Sequence, residues 1–240
     1  MKFETKVTYE FVQQELPVPA RRVLEVGCGS GELAARLLQD GFSVVTIDRD
    51  RDCIAAARQL GVDARHAAWP DFDGGQFDAV LFTRSLHHIH PLDKAVQRAG
   101  DSLLVSGRLI VEDFAYEMAD EKTLRWFGDA ISRLDAADLL VKDDDFLNAV
   151  RHGTETLQAW RENHESDLHT ATDIFAEIRR AFGAVKRDNV PYYFRYLARA
   201  IVPASDRDKI LRDHAAEETE LISNGTIRPL GRRFVAERSK

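Results

Sequence analysis

The chain has 240 residues, of which 44% are hydrophobic, a share that supports one large domain or one domain with a cap. Its 33 Lys and Arg against 40 Asp and Glu give a net charge of −7, which argues against binding nucleic acid or anionic lipid. The chain has no stretch of membrane-spanning length and no signal-peptide pattern, and Cys28 and Cys53 lack metal-site spacing. We therefore expect a cytoplasmic protein without a metal, nucleic-acid or membrane partner.

The first twenty residues predict a short helix and a linker. Residues 23–38 (VLEVGCGSGELAARLL) then predict a strand, a tight turn and a helix. An acid at the strand's end and a glycine cluster mark the turn: Glu25, Gly27, Gly29 and Gly31. Glycines allow positive φ and leave no Cβ to block a ligand, and the helix start behind them offers free N–H groups.

This turn departs from the dinucleotide fingerprint G-x-G-x-x-G, because Gly31 comes one residue early and Glu32 occupies the third glycine's place. Residues 25–31 (EVGCGSG) instead resemble the first motif of the class I S-adenosylmethionine-dependent methyltransferases of the small-molecule type, in the methyltransferase domain superfamily. The resemblance implies S-adenosyl-L-methionine as cofactor. It places the backbone of Gly27, Cys28, Gly29 and Gly31 along the methionyl end and ribose, and it has Glu25 hold the amino group directly or by fixing the loop.

A second strand, residues 44–47 (VVTI), leads to Asp48. A carboxylate here suits a ribose, because it accepts hydrogen bonds from both vicinal hydroxyls. The alternative is a surface acid that caps the next helix. NAD enzymes share this acid, so it supports nucleoside binding in general. The next residue, Arg49, is predicted to lie along the adenine edge.

The third strand, residues 62–67, is weakly marked. Many members of the resembled family carry an acid just after it, near the adenine amino group, but residues 64–71 (ARHAAWPD) place Ala or His there. The predicted adenine contacts are therefore Ala68 and Trp69. The indole of Trp69 either stacks on the base or packs in the core, and Asp71 is an alternative source of the acid.

The fourth strand, residues 77–83 (FDAVLFT), is apolar enough to be buried on both faces, and RSLHHIH follows it. The resemblance places Thr83 and Arg84 near the methionine and the transferred methyl. The double histidine resembles a subgroup that methylates small molecules. We select His88 as general base or substrate hydrogen-bond partner; the alternative is a polar loop residue or helix cap. Adjacent histidines point differently on regular structure, which argues against a metal.

A helix over residues 91–104 and a fifth strand over 108–112 continue the alternation, with Glu112 and Asp113 expected at the crevice, orienting a substrate or solvated. Residues 184–190 and 231–238 resemble the family's final antiparallel hairpin, with a helix over 205–223 between them. The predicted fold is α/β: a doubly wound, mostly parallel seven-stranded sheet with helices on both faces (Rossmann-like) and a helical lid insertion.

The predicted core comprises residues 1–115 and 170–240, with 191–227 partly an insertion, and residues 116–169 form the helical lid. One long helix is expected over 119–141, and Asp143 and Thr154 mark later helix starts. Residues 192–197 (YYFRYL) either line the substrate site or pack on the lid. Lid residues that are candidates for the substrate pocket are Trp126, Phe127, Phe146, Trp160, His164 and His169.

The expected function is S-adenosylmethionine-dependent methyl transfer to a small-molecule acceptor. Whether the nucleophile is O, N or C stays open, as does the oligomeric state of the protein. The lack of an Asn/Asp-Pro-Pro-Tyr/Phe motif after the fourth strand argues against amino-group methylation of nucleic acid or protein glutamine. One alternative is a non-catalytic binding protein on the same fold. Another is an NAD(P)-dependent oxidoreductase, against which the early Gly31 and the lack of a Tyr-x-x-x-Lys pair argue.

Overall fold

The computed structural model describes residues 1–141, 144–152, 156–164, 167–202 and 206–239. Two expected helix starts, Asp143 and Thr154, lie outside the described residues. In chain order, the strands are β1 (Arg22–Val26), β2 (Ser43–Asp48), β3 (Asp63–His66), β4 (Phe77–Thr83), β5 (Leu103–Phe114), β6 (Val185–Val190) and β7 (Gly231–Glu237). The helices are α1 (Phe3–Glu15), α2 (Glu32–Gln39), α3 (Arg51–Gln59), α4 (Leu92–Ser102), α5 (Glu121–Ala136), α6 (Asp145–His152), α7 (Thr156–His164), α8 (Ala171–Phe182), α9 (Phe194–Ala200) and α10 (Arg207–Ser223).

Within the described residues, the strands form one seven-stranded sheet in the order β3-β2-β1-β4-β5-β7-β6, in which β7 alone runs antiparallel to its neighbours. The apolar side chains of β1 and β4 are buried on both faces of the sheet. Helices α1 and α2 pack on one face and α4 and α8 on the other. The predicted doubly wound, mostly parallel fold is confirmed.

The order of the strands fixes where a ligand can bind. The chain runs outward from β1 through β2 to β3, then returns to place β4 on the other side of β1. Open α/β sheets bind ligands at such a switch point, beyond the carboxyl ends of the strands. Val26 at the end of β1 pairs with Ile47 on one side and Phe82 on the other. The glycine loop after β1 therefore lies at the switch point.

Helices α5, α6 and α7 are inserted between β5 and α8, and with α9 and α10 they enclose a second core rich in aromatic residues. The helix predicted over 119–141 ends earlier, at Ala136, because Asp138 adopts a left-handed backbone (φ 54°) and the Leu139 amide bonds back to the Leu134 carbonyl. The fifth strand is longer than predicted at both ends, because Leu103 pairs with Phe77 of β4 and β7 pairs with the strand as far as Phe114. Among the described residues, no helix has both the length and the apolar character needed to cross a bilayer.

Candidate active site

The loop between β1 and α2 lies against the turn that follows β4. Gly27 has φ 79°, and a Cβ there would stand 2.5 Å from the Cβ of Ser85. The Ser85 hydroxyl donates to the Val26 carbonyl at 2.5 Å, and the Gly27 amide donates to the Ile47 carbonyl at 2.9 Å. Gly27 is thus required both for its backbone conformation and for the close approach of Ser85.

Asp48 ties the glycine loop to the end of β2. Its carboxylate accepts one hydrogen bond from the Gly29 amide at 3.1 Å and another from the Asp50 amide at 2.9 Å. The alternative role of Asp48 as a helix cap is taken by Asp50, whose side chain accepts from the amides of Asp52 and Cys53 at the start of α3. Asp48 is therefore held at the cavity edge with lone pairs to spare.

A cavity of about 320 Å³, here called the first cavity, opens over this loop. Such a volume is within the usual range of roughly 300–1,000 Å³ for small-molecule sites. Seven predicted site residues line it: Gly27, Gly29, Asp48, Arg49, Trp69, Arg84 and His88. Ser85, Ala67 and Ile89 also line it and were not predicted, because their only signal in the sequence is adjacency to predicted positions.

The remaining predicted cofactor residues do not line this cavity. A Cβ on Gly31 would stand 2.5 Å from the Cβ of Ala57, so this glycine lets α2 begin against α3. The Cys28 side chain packs with Ile54 and Ala57 on the same helix. Ala68 does not line the cavity, whereas its neighbour Ala67 does.

Glu25 and Thr83 form a buried pair beneath the glycine loop. The Thr83 hydroxyl donates to Glu25 Oε1 at 3.2 Å, and burial raises the pKa of Glu25 to about 7. The other oxygen, Oε2, is buried and has no hydrogen-bond partner among the described residues. Such an unpaired buried acceptor, beside a cavity edged by the Asp48 carboxylate and side-chain-free glycine backbone, fits a ligand that carries an ammonium group and a ribose.

Trp69 belongs to the core and lines the first cavity at the same time. Its indole N–H donates to the Ala95 carbonyl at 3.0 Å, and its ring meets Phe82 edge-on at 5.9 Å. The alternative acid, Asp71, is exposed and is not part of the cavity wall.

A second cavity of about 450 Å³ adjoins the first, and Arg84 and His88 line both. Tyr192, Arg195 and Tyr196 form part of its wall, and His164 from the helical insertion also lines it. Of the other candidate lid residues, Phe127 and Trp160 are fully buried in the aromatic core. The segment at 192–197 thus contributes to the cavity wall and packs on the insertion at once.

His87, rather than the predicted His88, has an orienting partner and faces the second cavity. Its Nδ1 lies 2.7 Å from Asp113 Oδ1, and its amide donates to Asp113 Oδ2 at 3.3 Å. Because an ionised carboxylate only accepts, Nδ1 of a neutral His87 carries the proton, and Nε2 then has the lone pair. By contrast, His88 is exposed on its outer side, and its ring makes no hydrogen bond within the described part of the chain. Partial desolvation of the ring and the neighbouring His87 lower its pKa.

A buried ion cluster lies behind the second cavity. Glu112 is 1% exposed and accepts from Arg84 at 3.0 Å, from Arg195 at 2.7 Å and from Arg233 at 2.8 Å. Burial alone would raise the pKa of Glu112, but these arginines outweigh it and lower the pKa to about 2. Glu112 and Asp113 are therefore both buried and paired, which excludes the solvated alternative.

Arg84 connects this cluster to both cavities. It has φ 65°, a left-handed backbone that is uncommon for a residue other than glycine, and it directly follows β4. Its amide donates to the Glu112 carbonyl at 2.7 Å. Across the described ranges, no group of His, Cys, Asp and Glu is arranged to hold a metal ion.

Comparison with known proteins places these features in a family. The family model described as "Methyltransferase domain" matches residues 6–165, more than half of the chain. The ubiquinone biosynthesis O-methyltransferase of Xylella fastidiosa is 32% identical over 114 residues, which cover 44% of this chain and 46% of the relative. An uncharacterized methyltransferase of Mycobacterium tuberculosis is 29% identical over 154 residues, which cover 61% and 62%. The chain thus spans less than two thirds of either relative.

Solved structures share the fold at low sequence identity. Haemonchus contortus phosphoethanolamine N-methyltransferase 2, in complex with S-adenosyl-L-methionine, aligns with a TM-score of 0.60 at 14% identity, covering 98% of this chain and 53% of that one. The plantazolicin methyltransferase BpumL, in complex with a pentazolic desmethylPZN analog and SAH, gives 0.58 at 12% identity, covering 99% and 86%. The [4+2]-cyclase SpnF gives 0.57 at 16% identity, covering 97% and 80%.

The family match agrees with the sheet order and, like the early Gly31, argues against the oxidoreductase alternative that the Asp48 position left open. This chain belongs to the class I S-adenosylmethionine-dependent methyltransferase family.

Proposed function

We propose that this protein transfers a methyl group from S-adenosyl-L-methionine, bound in the first cavity, to a small molecule bound in the second. The observation that supports this most directly is that the two cavities meet at Arg84 and His88. A donor in one and an acceptor in the other would therefore be adjacent at one boundary, which is the arrangement that a direct transfer between two bound molecules needs.

In this proposal different residues around the first cavity bind different parts of the cofactor. Asp48 accepts from the ribose hydroxyls, and the backbone at Gly27 and Gly29 lies along the sugar and the methionyl chain. Glu25, which is buried beneath the loop and outside the cavity wall, holds the ammonium group directly or by fixing the loop. Ala67 and Trp69 enclose the base, which needs no acid after β3 because apolar surface supplies the contact.

When bound, S-adenosyl-L-methionine supplies a methyl group on a sulfonium, which is already a strong electrophile. The protein's contribution is then to orient the acceptor in line with that methyl and to exclude water. We propose that residues 116–169 act as the lid over a core formed by residues 1–115 and 170–240. Nε2 of His164 lies 2.8 Å from the hydroxyl of Tyr196, and this contact would join the lid to α9 at the cavity wall.

We further propose His87, rather than His88, as the general base for an acceptor that must lose a proton. Asp113 fixes the His87 tautomer, so Nε2 presents a lone pair to the second cavity. Asp113 would also stabilise the imidazolium that forms. His88 lacks such an orienting partner within the described residues and is better suited to a hydrogen bond at the boundary.

Isotopic methyl transfer into a metabolite extract tests this function. Wild type, His87→Gln and His88→Gln are each incubated with methyl-labelled S-adenosylmethionine, and the rate of label transfer into products is measured. Removal of a general base costs roughly 10²–10⁴ in rate. We expect a loss of this size for His87→Gln and a smaller one for His88→Gln. Calorimetry should show unchanged affinity for S-adenosylhomocysteine in His87→Gln, because His87 lines only the second cavity.

Three other results would contradict parts of this proposal. A wild type that binds S-adenosylhomocysteine but labels nothing would indicate a non-catalytic binding protein. A larger loss in His88→Gln than in His87→Gln would return the base role to His88. Absence of any heat with S-adenosylhomocysteine would refute the methyl-transfer proposal as a whole.

A further inference from the structure

The wall of the second cavity carries more positive charge than its acids balance. Arg84, Arg195 and Arg199 all line it. The carboxylate behind this wall, Glu112, accepts from Arg84 and Arg195 but is shared with Arg233 on its other side. One negative charge thus faces several cations.

The other acids near this wall are already engaged. Glu4 lines the cavity, and its Oε1 accepts from Arg207 at 2.6 Å, so the two charges cancel, while its Oε2 is buried without a hydrogen-bond partner among the described residues. Asp113 lies behind His87 and is hydrogen bonded to its ring and amide. With these pairs and Glu112 counted, the cations that face the cavity remain in excess.

Arg195 has donor capacity that the protein does not use. Its Nη2 donates to Glu112 at 2.7 Å and to Thr8 at 3.0 Å, and its Nη1 donates to the Glu4 carbonyl at 3.1 Å. Its Nε is buried without a hydrogen-bond partner among the residues that the structure describes. A guanidinium is always charged, and a buried donor left unpaired costs free energy that a ligand acceptor would recover.

We propose that the methyl acceptor is an anion, carrying a carboxylate or phosphate that Arg195 and Arg199 bind in the second cavity while its nucleophilic atom faces His87. This inference rests on the proposed function and adds the chemical class of the substrate. Guanidinium groups suit this class because their planar fork of donors matches carboxylate and phosphate oxygens.

The donor has a carboxylate of its own, so the two sources must be separated. Arg84 lines both cavities and is open to either anion. Arg195 and Arg199 line the second cavity and not the first. An anion bound by these two residues is therefore additional to the donor, and it must bind when the donor product already fills its site.

The test is calorimetric titration of protein saturated with S-adenosylhomocysteine. The probes are benzoate and inorganic phosphate at matched ionic strength, with neutral benzamide as the uncharged control. We expect wild type to bind at least one of the two anions and not benzamide. Arg199→Gln and Arg195→Lys should each weaken that binding at least fivefold, with less than a twofold change in the affinity for S-adenosylhomocysteine. Arg212→Gln, on the exposed side of α10, is the matched control and should change neither.

Arg199→Gln keeps the test valid if Arg195→Lys fails to fold, because Arg199 is exposed and lies outside the Glu112 cluster. Failure of both anions to bind the loaded wild type, or unchanged binding in Arg199→Gln, overturns the inference while leaving methyl transfer intact. Loss of affinity for S-adenosylhomocysteine in the variants would assign the arginines to the donor and overturn it too. A wild type that does not bind S-adenosylhomocysteine removes the proposed function and this inference with it.

Discussion

At the scale of single residues, Asp48 has two roles that compete for the same oxygens. In the described structure its carboxylate already accepts the amides of Gly29 and Asp50, which hold the glycine loop against β2. The proposed ribose contacts use the remaining lone pairs. A neutral amide in its place keeps the shape and one acceptor oxygen, but it loses the charge that strengthens every one of these bonds.

We expect Asp48→Asn to weaken the binding of S-adenosylhomocysteine by about 10- to 100-fold, because hydrogen bonds to a charged group contribute about 1.5–3 kcal/mol. Calorimetry measures the affinity, and thermal unfolding checks that the variant is folded. The control is Asp71→Asn, an exposed acid outside the cavity wall, which should bind like wild type. If Asp71→Asn were the weaker binder, the displaced-acid alternative for the adenine would be right instead.

At the scale of elements, the site depends on how closely two turns approach each other. The turn after β1 and the turn after β4 meet at Gly27 and Ser85, in the gap between two parallel strands that are neighbours in the sheet but far apart in the chain. Gly61, at the end of α3, has nearly the same φ (81° against 79°) but no atom within 4 Å of a built Cβ. Comparing substitutions at Gly27 and Gly61 therefore separates the cost of backbone strain, which both positions share, from the cost of a steric clash, which only Gly27 has.

We expect Gly61→Ala to cost about 1–2 kcal/mol of unfolding free energy, the penalty of a left-handed backbone at a residue with a Cβ. Gly27→Ala should cost about 1–3 kcal/mol more, because it adds overpacking against Ser85, and it should reduce the affinity for S-adenosylhomocysteine. Urea denaturation and calorimetry measure the two quantities. Equal stability losses in both variants would show that the Gly27–Ser85 contact relaxes without cost.

At the scale of the whole molecule, Glu112 joins parts of the chain that lie far apart in sequence. Arg84 follows β4, Arg195 lies in α9, Arg233 lies in β7, and Thr8 of α1 donates to the same carboxylate at 2.7 Å. The cluster thus connects the N-terminal helix, the sheet and the α9 segment. Its removal leaves buried guanidinium groups without their counter-charge.

We expect Glu112→Gln to lower the free energy of unfolding at pH 7 by about 3–5 kcal/mol, the usual cost of breaking a buried ion pair. The folded pKa of about 2 lies below the ordinary 4.5, so the stability from this group is present above pH 4.5 and is lost as the pH falls toward 2. The difference between wild type and variant should therefore shrink by up to about 3 kcal/mol over that range. Urea denaturation at pH 7, 4.5 and 3 measures it.

The control for this prediction is Glu237→Gln, which removes an exposed partner of Arg108 and should change stability by less than about 0.5 kcal/mol at each pH. If the difference in unfolding free energy between wild type and Glu112→Gln stayed constant from pH 7 to 3, the lowered pKa of Glu112 would be contradicted, however large that difference was.

The sequence by itself determined the fold class, the glycine loop and most of the first cavity. These features depend on short-range patterns: apolar periodicity separates strands from helices, Gly27 and Gly29 lie in the turn after β1, and Asp48 is the last residue of β2. Ligand sites at the carboxyl ends of parallel strands then follow from topology. Gly31 and Cys28 met the same pattern but pack on α3, because the pattern does not specify which side of the loop faces the helix.

Only the tertiary structure decided how the second cavity is built. His87 and His88 are equivalent in the sequence until Asp113, 26 residues away, pairs with one of them. Glu112 and Arg195 are 83 residues apart, and nothing local to either predicts the other. The contacts that distinguish these residues are long-range and arise from the strand order and from the positions of the inserted helices. The burial and the partners of a side chain depend on that packing and not on its neighbours in the chain.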